Sequence, residues 1–131
     1  MKKVRIPSNI KSAEEYYINF CKDIELVIKD IDVQDNIKLA YCELISNAII
    51  YGNKEIEYKK VYCSYSIEDN IFKCIMEDDG DGFDYKARLC EADIIADVLL
   101  EHGRGIKLMC KSMDIVKYSN DGKTCYMEKR W

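Results

Sequence analysis

Apolar residues recur along this chain at two spacings, and each change of spacing marks a new element. Residues 2–7, Lys-Lys-Val-Arg-Ile-Pro, alternate and stop at the proline, the pattern of a short edge strand. Tyr16, Phe20, Ile24 and Val27 then fall on one helical stripe. Ser12, with Glu15 three residues on, has the form of a capping box, so a helix is predicted over 12–29. Asp35 is expected to open a second helix, with Ile37, Tyr41, Leu44, Ala48 and Tyr51 on one face. Cys42, Ile45 and Ile49 widen that face, so the helix should be deeply buried until Gly52-Asn53 stops it. Period-two alternation over Val61, Cys63, Tyr65 and Ile67 predicts a strand, and Asp69-Asn70 turns it into another, Ile71–Glu77. The stretch 85–102 has no clear period. A helix over 105–113 and strands near 114–119 and 124–129, joined by a turn at Asn120-Asp121-Gly122, complete the chain. This order predicts an α+β fold: a two-layer α/β sandwich with a largely antiparallel sheet and helices on one face.

Composition narrows the classes. The 131 residues, 48% apolar and 34% charged, suit one globular domain spanning 1–131. The N-terminus is basic, but no apolar signal-peptide core follows, and no run nears the ~20 apolar residues of a membrane span. A cytoplasmic location is expected, with no membrane association. Seven cysteines, at 21, 42, 63, 74, 90, 110 and 125, include no C-x-x-C pair and are odd in number. They read as small, reduced core residues rather than zinc ligands or a disulfide framework. His102 is the sole histidine, which excludes a histidine-rich metal centre. A net charge of −4 argues against direct nucleic-acid binding.

Three polar boxes interrupt this frame. In the first, Glu43-Leu44-Ile45-Ser46-Asn47-Ala48, Glu43 and Asn47 leave the same side of a helix. A polar helix edge is the bland reading. Among mostly apolar neighbours, however, such a pair is costly unless something uses it. A carboxylate can accept a proton, and an amide oxygen can ligate magnesium. The second box, Asp78-Asp79-Gly80-Asp81-Gly82-Phe83-Asp84, is not an EF-hand, because Phe83 and Leu89 occupy the sixth and twelfth positions. If Phe72, Cys74 and Met76 face the core, alternation turns Asp78 inward at the strand end. There it can accept a hydrogen bond from a ligand amine, while Gly80 and Gly82 allow close approach. Asp79, Asp81 and Asp84 are expected to be solvated. The third box, His102-Gly103-Arg104-Gly105-Ile106, leads glycines into a helix whose free N–H groups favour phosphate; no P-loop sequence follows.

In this order and separation, E-x-x-x-N-A, D-x-G-x-G-F and G-x-G-I resemble the N, G1 and G2 boxes of the GHKL (Bergerat-fold) ATP-binding superfamily. The short chain looks most like its bacterial anti-sigma factor serine/threonine kinases of partner-switching systems. The resemblance implies ATP and Mg²⁺ as ligands. It implies Asp78 on the adenine amine, Gly80 and Gly82 shaping that pocket, Asn47 on magnesium and Glu43 as the base in serine phosphorylation. Gly103, Arg104 and Gly105 would form the phosphate end of a lid, and Thr124 would sit beside the aspartate. A homodimer, a sigma factor and a STAS-domain anti-anti-sigma antagonist are the implied partners.

The lid departs from the pattern. Glu91, Asp93, Asp97 and Glu101 make it acidic, with Lys86, Arg88 and Arg104 the obvious cations. A nucleotide-dependent protein-binding module without kinase activity is therefore the competing function. A histidine-kinase catalytic domain is disfavoured, since the sole histidine falls in the lid.

Overall fold

The computed structural model describes residues 2–83 and 101–131. In chain order these form β1 (Val4–Pro7), α1 (Ile10–Val27), α2 (Ile31–Ser46) with a π-helical continuation (Asn47–Gly52), β2 (Lys60–Glu68), β3 (Ile71–Asp78), α3 (Glu101–Ser112), β4 (Ile115–Ser119) and β5 (Thr124–Arg130). The five strands make one sheet in the order β1-β2-β3-β5-β4, with every neighbouring pair antiparallel. The expected α+β sandwich is the observed architecture.

Alternation sorts the sheet into two faces. Val61, Cys63, Phe72, Cys74, Met76, Cys125 and Met127 are buried and join Phe20, Ile24, Tyr41, Leu44, Ile106 and Met109 of the helices in one core. Phe20 and Tyr41 stack with centroids 3.7 Å apart and meet Phe72 edge-on, fastening α1 and α2 to the strand that ends in Asp78. The buried Tyr41 hydroxyl pairs with Tyr16 at 2.8 Å, so the aromatic centre carries its polar tip at no cost in unmade hydrogen bonds. The β2–β3 turn has both central residues left-handed, Asp69 at φ 53° and Asn70 at φ 59°, the type I′ geometry that suits a twisted hairpin.

Several boundaries differ from the sequence expectation. Asn9, not Ser12, caps α1: its backbone is extended and its side chain accepts the Ser12 N–H at 2.8 Å. The capping box is thus one turn too late, because Asn9 already satisfies an orphan donor. Ile28 is buried and Val27 is 56% exposed, which shifts the core stripe by one residue. Asp30 rather than Asp35 caps α2, accepting from Val33 N–H. Tyr51 and Cys42 are exposed, so the second helix buries a narrower face than expected. Helix α3 is already helical at Glu101, ahead of the expected 105. Cys63, Cys74 and Cys125 are buried free thiols as expected, but Cys42 and Cys110 are exposed. Cys90 lies outside the described residues. No helix among the described residues is long and apolar enough to cross a membrane.

Candidate functional site

Strand β3 delivers Asp78 to the core side of the sheet end, two residues beyond the buried Met76 and opposite Val61. The three amides that follow have separate acceptors. Asp78 N–H donates to Lys123 O (2.9 Å), Asp79 N–H to Asn53 Oδ1 (2.8 Å) and Gly80 N–H to the Asp78 carboxylate itself (2.8 Å). The turn after β3 is therefore held on both sides. Asp79 is more than a solvated charge, since its Oδ2 accepts the Lys60 N–H at 2.8 Å.

The end of α2 closes on this carboxylate from above. Across Asn47–Gly52 the helix widens to π geometry, and Asn53 N–H reaches back to Ala48 O at 2.8 Å. Single π turns of this kind gather at functional sites. A Cβ on Gly52 would stand 2.6 Å from Asp78 Oδ2, and one on Gly80 would stand 2.0 Å from the Gly52 carbonyl oxygen. No side chain fits at either position, so bare backbone lines the approach to Asp78. The sequence expects close approach at Gly80, and the structure adds Gly52, which the sequence marks only as a helix stop.

The facing wall comes from the β4–β5 turn. Phe83 N–H donates to Asp121 O (2.8 Å), and Phe83 meets Tyr118 edge-on at 5.2 Å. Gly82, at φ +83°, presses on the Asp121 carbonyl, and Gly122, at φ +88°, presses on the Phe83 ring. Both positions require glycine on conformation and on space. The result is a cleft of about 490 Å³, counting open solvent at its mouth, between the π turn, the β3 end and the β4–β5 turn. Leu44, Met76, Phe83 and Cys125 give it apolar walls, with Asn47, Asp78 and Lys123 as polar groups. Burial pushes the Cys125 thiol up to about 12, so it stays neutral and behaves as apolar lining.

The cleft thus brings together Asn47, Asp78 and Gly82, with Gly80 packed directly behind. Asn47 Nδ2 is buried with no hydrogen-bond partner among the described residues. Glu43 lies one turn earlier on α2, half-buried, and is not part of the cleft lining. Thr124 requires a correction. It pairs with Glu77 while Cys125 pairs with Met76, so the Thr124 side chain is on the outward face and Cys125 takes the inward position beside the cleft. The parity of β5 decides this, and a one-residue shift moves a side chain to the other face. Gly103, Arg104 and Gly105 fall inside α3 rather than before it. The lid residues Lys86, Arg88, Glu91, Asp93 and Asp97, with Asp84, lie outside the described residues.

Burial pushes the Asp78 carboxyl up to about 6, and the neighbouring Asp79 charge adds to it; the Gly80 N–H, Lys123 and Lys59 act in the opposite direction. At neutral pH it remains an acceptor, though an unusually protonatable one.

These groups suit a purine nucleotide bearing an amine. The described residues hold no cluster of three or more His, Cys, Asp or Glu that could chelate a metal. Magnesium bound through one amide oxygen, phosphates and water needs no such cluster, and Asn47 in the cleft lining carries one amide oxygen. A search of curated proteins gives no match to this chain. Residues 14–129, from the first turns of α1 to the end of β5, match the family described as histidine kinase-like ATPase domain. With an inward Asp78 and a glycine-lined approach at this cleft, the chain belongs to the histidine kinase-like ATPase domain family.

Proposed function

We propose that this member of the family is an ATP-dependent serine/threonine protein kinase and anti-sigma factor, which sequesters a sigma factor and phosphorylates a STAS-domain antagonist. The observation that carries the reading is the order of Asp78, Asn47 and Glu43. The first two share a cleft, and the third stands one helical turn beyond Asn47. Asp78 accepts the adenine amine, and the Gly52–Gly80 backbone lets the ring approach. Asn47 would hold Mg²⁺ through its amide oxygen; the ion, when bound, neutralises phosphate charge. Triphosphate running from Asp78 past Asn47 leads toward Glu43, which takes the proton of the attacking serine hydroxyl. The new bond joins the serine oxygen to the γ-phosphorus, and the bond to the β–γ bridging oxygen breaks, its electron pair leaving with ADP. Gly103, Arg104 and Gly105 would contribute phosphate contacts. A homodimer and a cytoplasmic location complete the proposal.

The test is phosphate transfer from γ-labelled ATP to a STAS-domain protein that co-purifies with this chain from its native cell. Labelled phosphoserine or phosphothreonine on that protein is the expected result. The acidic stretch Glu91, Asp93, Asp97 and Glu101 favours a second reading, a nucleotide-dependent binding module. A co-purified partner that binds only with nucleotide and never gains phosphate decides for it.

A further inference from the structure

Asn53 is wholly buried, at 0% exposure, and sits where the β2–β3 ladder ends. The last pair of that ladder is Val61 with Asp78. One residue further out, Lys60 and Asp79 do not pair through their main chains; the Asn53 side chain stands between them. Its Oδ1 accepts the Asp79 N–H at 2.8 Å and its Nδ2 donates to Lys60 O at 3.0 Å. A side-chain amide thus takes the place of a peptide group and adds one rung to the sheet. The second Nδ2 hydrogen goes to Ser8 Oγ at 2.8 Å, and that hydroxyl donates to Lys59 O at 2.7 Å. Every polar hydrogen of the amide is used, in a site with no access to water, so its orientation is determined.

The consequence falls on Asp78. Asn53 directly follows Gly52, whose backbone lies against the Asp78 carboxylate, and it holds Asp79, the residue directly after Asp78. The two walls that confine the carboxylate are therefore tied together by one side chain. Without it, the turn 78–80 keeps its Lys123 side, the Lys60–Asp79 contact and the Gly80 N–H on Asp78, but loses its hydrogen-bonded tie to the residue after Gly52, and the carboxylate can shift out of line with a ligand amine.

We propose that Asn53 is a positioning residue that aims Asp78 and thereby sets the preference for purine nucleotides with an exocyclic amine over those with a carbonyl at that position. The inference rests on the reading of the cleft as an ATP site. Its test compares the affinities of ATP and inosine triphosphate, which differ there by amine against carbonyl, for the full chain and for Asn53→Ala. Wild-type protein prefers ATP. In Asn53→Ala the ratio falls about tenfold, the scale of one misaligned charge-assisted hydrogen bond, while inosine triphosphate affinity per folded molecule changes little. General loss of stability lowers both affinities together and leaves the ratio alone. If circular dichroism shows that the alanine variant does not fold, the same ratio is read on Asn53→Ser, which keeps a polar atom in the buried site but lacks the second arm needed to bridge both strands. A folded variant with the wild-type ratio overturns the role of Asn53. Equal wild-type affinities for the two nucleotides defeat the Asp78 assignment itself, and a wild-type chain that binds neither defeats the ATP site.

Discussion

Replacing Asp78 by asparagine removes the charge of the cleft carboxylate while keeping its shape. In the fold, one carboxylate oxygen accepts the Gly80 N–H, and the amide oxygen of asparagine can do the same, so the turn survives. The other position then carries an NH₂ group, which meets the ligand amine donor to donor. The loss is that of a charge-assisted hydrogen bond, ~1.5–3 kcal/mol, or roughly 10- to 150-fold in ATP affinity. Stability moves the other way. The folded carboxyl titrates near 6 against an ordinary value of 3.8, so the folded state binds this proton more tightly than the unfolded chain does. Its ionised form opposes folding above about pH 6, and that penalty fades as pH falls from 6 toward 4. Two pH units correspond to nearly 3 kcal/mol at full strength; the group is partly solvated, which reduces the expected gain in Asp78→Asn to about 1 kcal/mol at pH 7.5. Calorimetric titration with ATP at pH 7.5 and 5.5, beside chemical denaturation at the same pH values, reads both effects. Wild-type affinity should drop between these pH values as Asp78 takes up its proton, and the variant's should stay flat and low. Unchanged ATP affinity in folded Asp78→Asn would refute the assignment, and a pH-independent wild-type affinity would refute the titration argument.

Glu43→Gln retains the shape of the proposed base without its proton acceptor. It should bind ATP and partner normally yet lose roughly 10²–10⁴-fold in single-turnover phosphate transfer; wild-type transfer would remove Glu43 from the mechanism. Asn47→Ala should abolish the dependence of ATP affinity on magnesium, so identical binding to wild type across a magnesium titration argues against the metal contact. Gly80→Ala drives a Cβ to 2.0 Å from the Gly52 carbonyl oxygen, which is backbone and cannot swing aside. Overpacking of this kind costs about 1–3 kcal/mol or more, seen as a lower denaturation midpoint, and a midpoint equal to wild type would show that the Gly52–Gly80 contact is slack.

The sequence by itself determined what depends on neighbours along the chain. Alternation in 71–77 placed Phe72, Cys74 and Met76 inside and so turned Asp78 toward the core, because side-chain direction in a strand is a matter of parity alone. The Asp69-Asn70 turn was legible for a similar reason: few residue pairs accept two left-handed conformations in succession. Parity is also where the reading failed. Thr124 and Cys125 differ by one step, and the parity of β5, with Cys125 and Met127 turned into the core, puts Cys125 rather than Thr124 beside the cleft. Local capping signals competed with one another, and Asn9 prevailed over Ser12 because its extended backbone leads in directly from β1. Only the tertiary structure could supply the rest of the site. Gly52 and Asp78 are 26 residues apart, as are Asn53 and Asp79, and Gly82 meets Asp121 across 39. Each of these contacts exists because the core of α2, β3 and β5 brings distant backbones together, and no periodicity along the chain encodes which glycine will be pressed against which carboxylate.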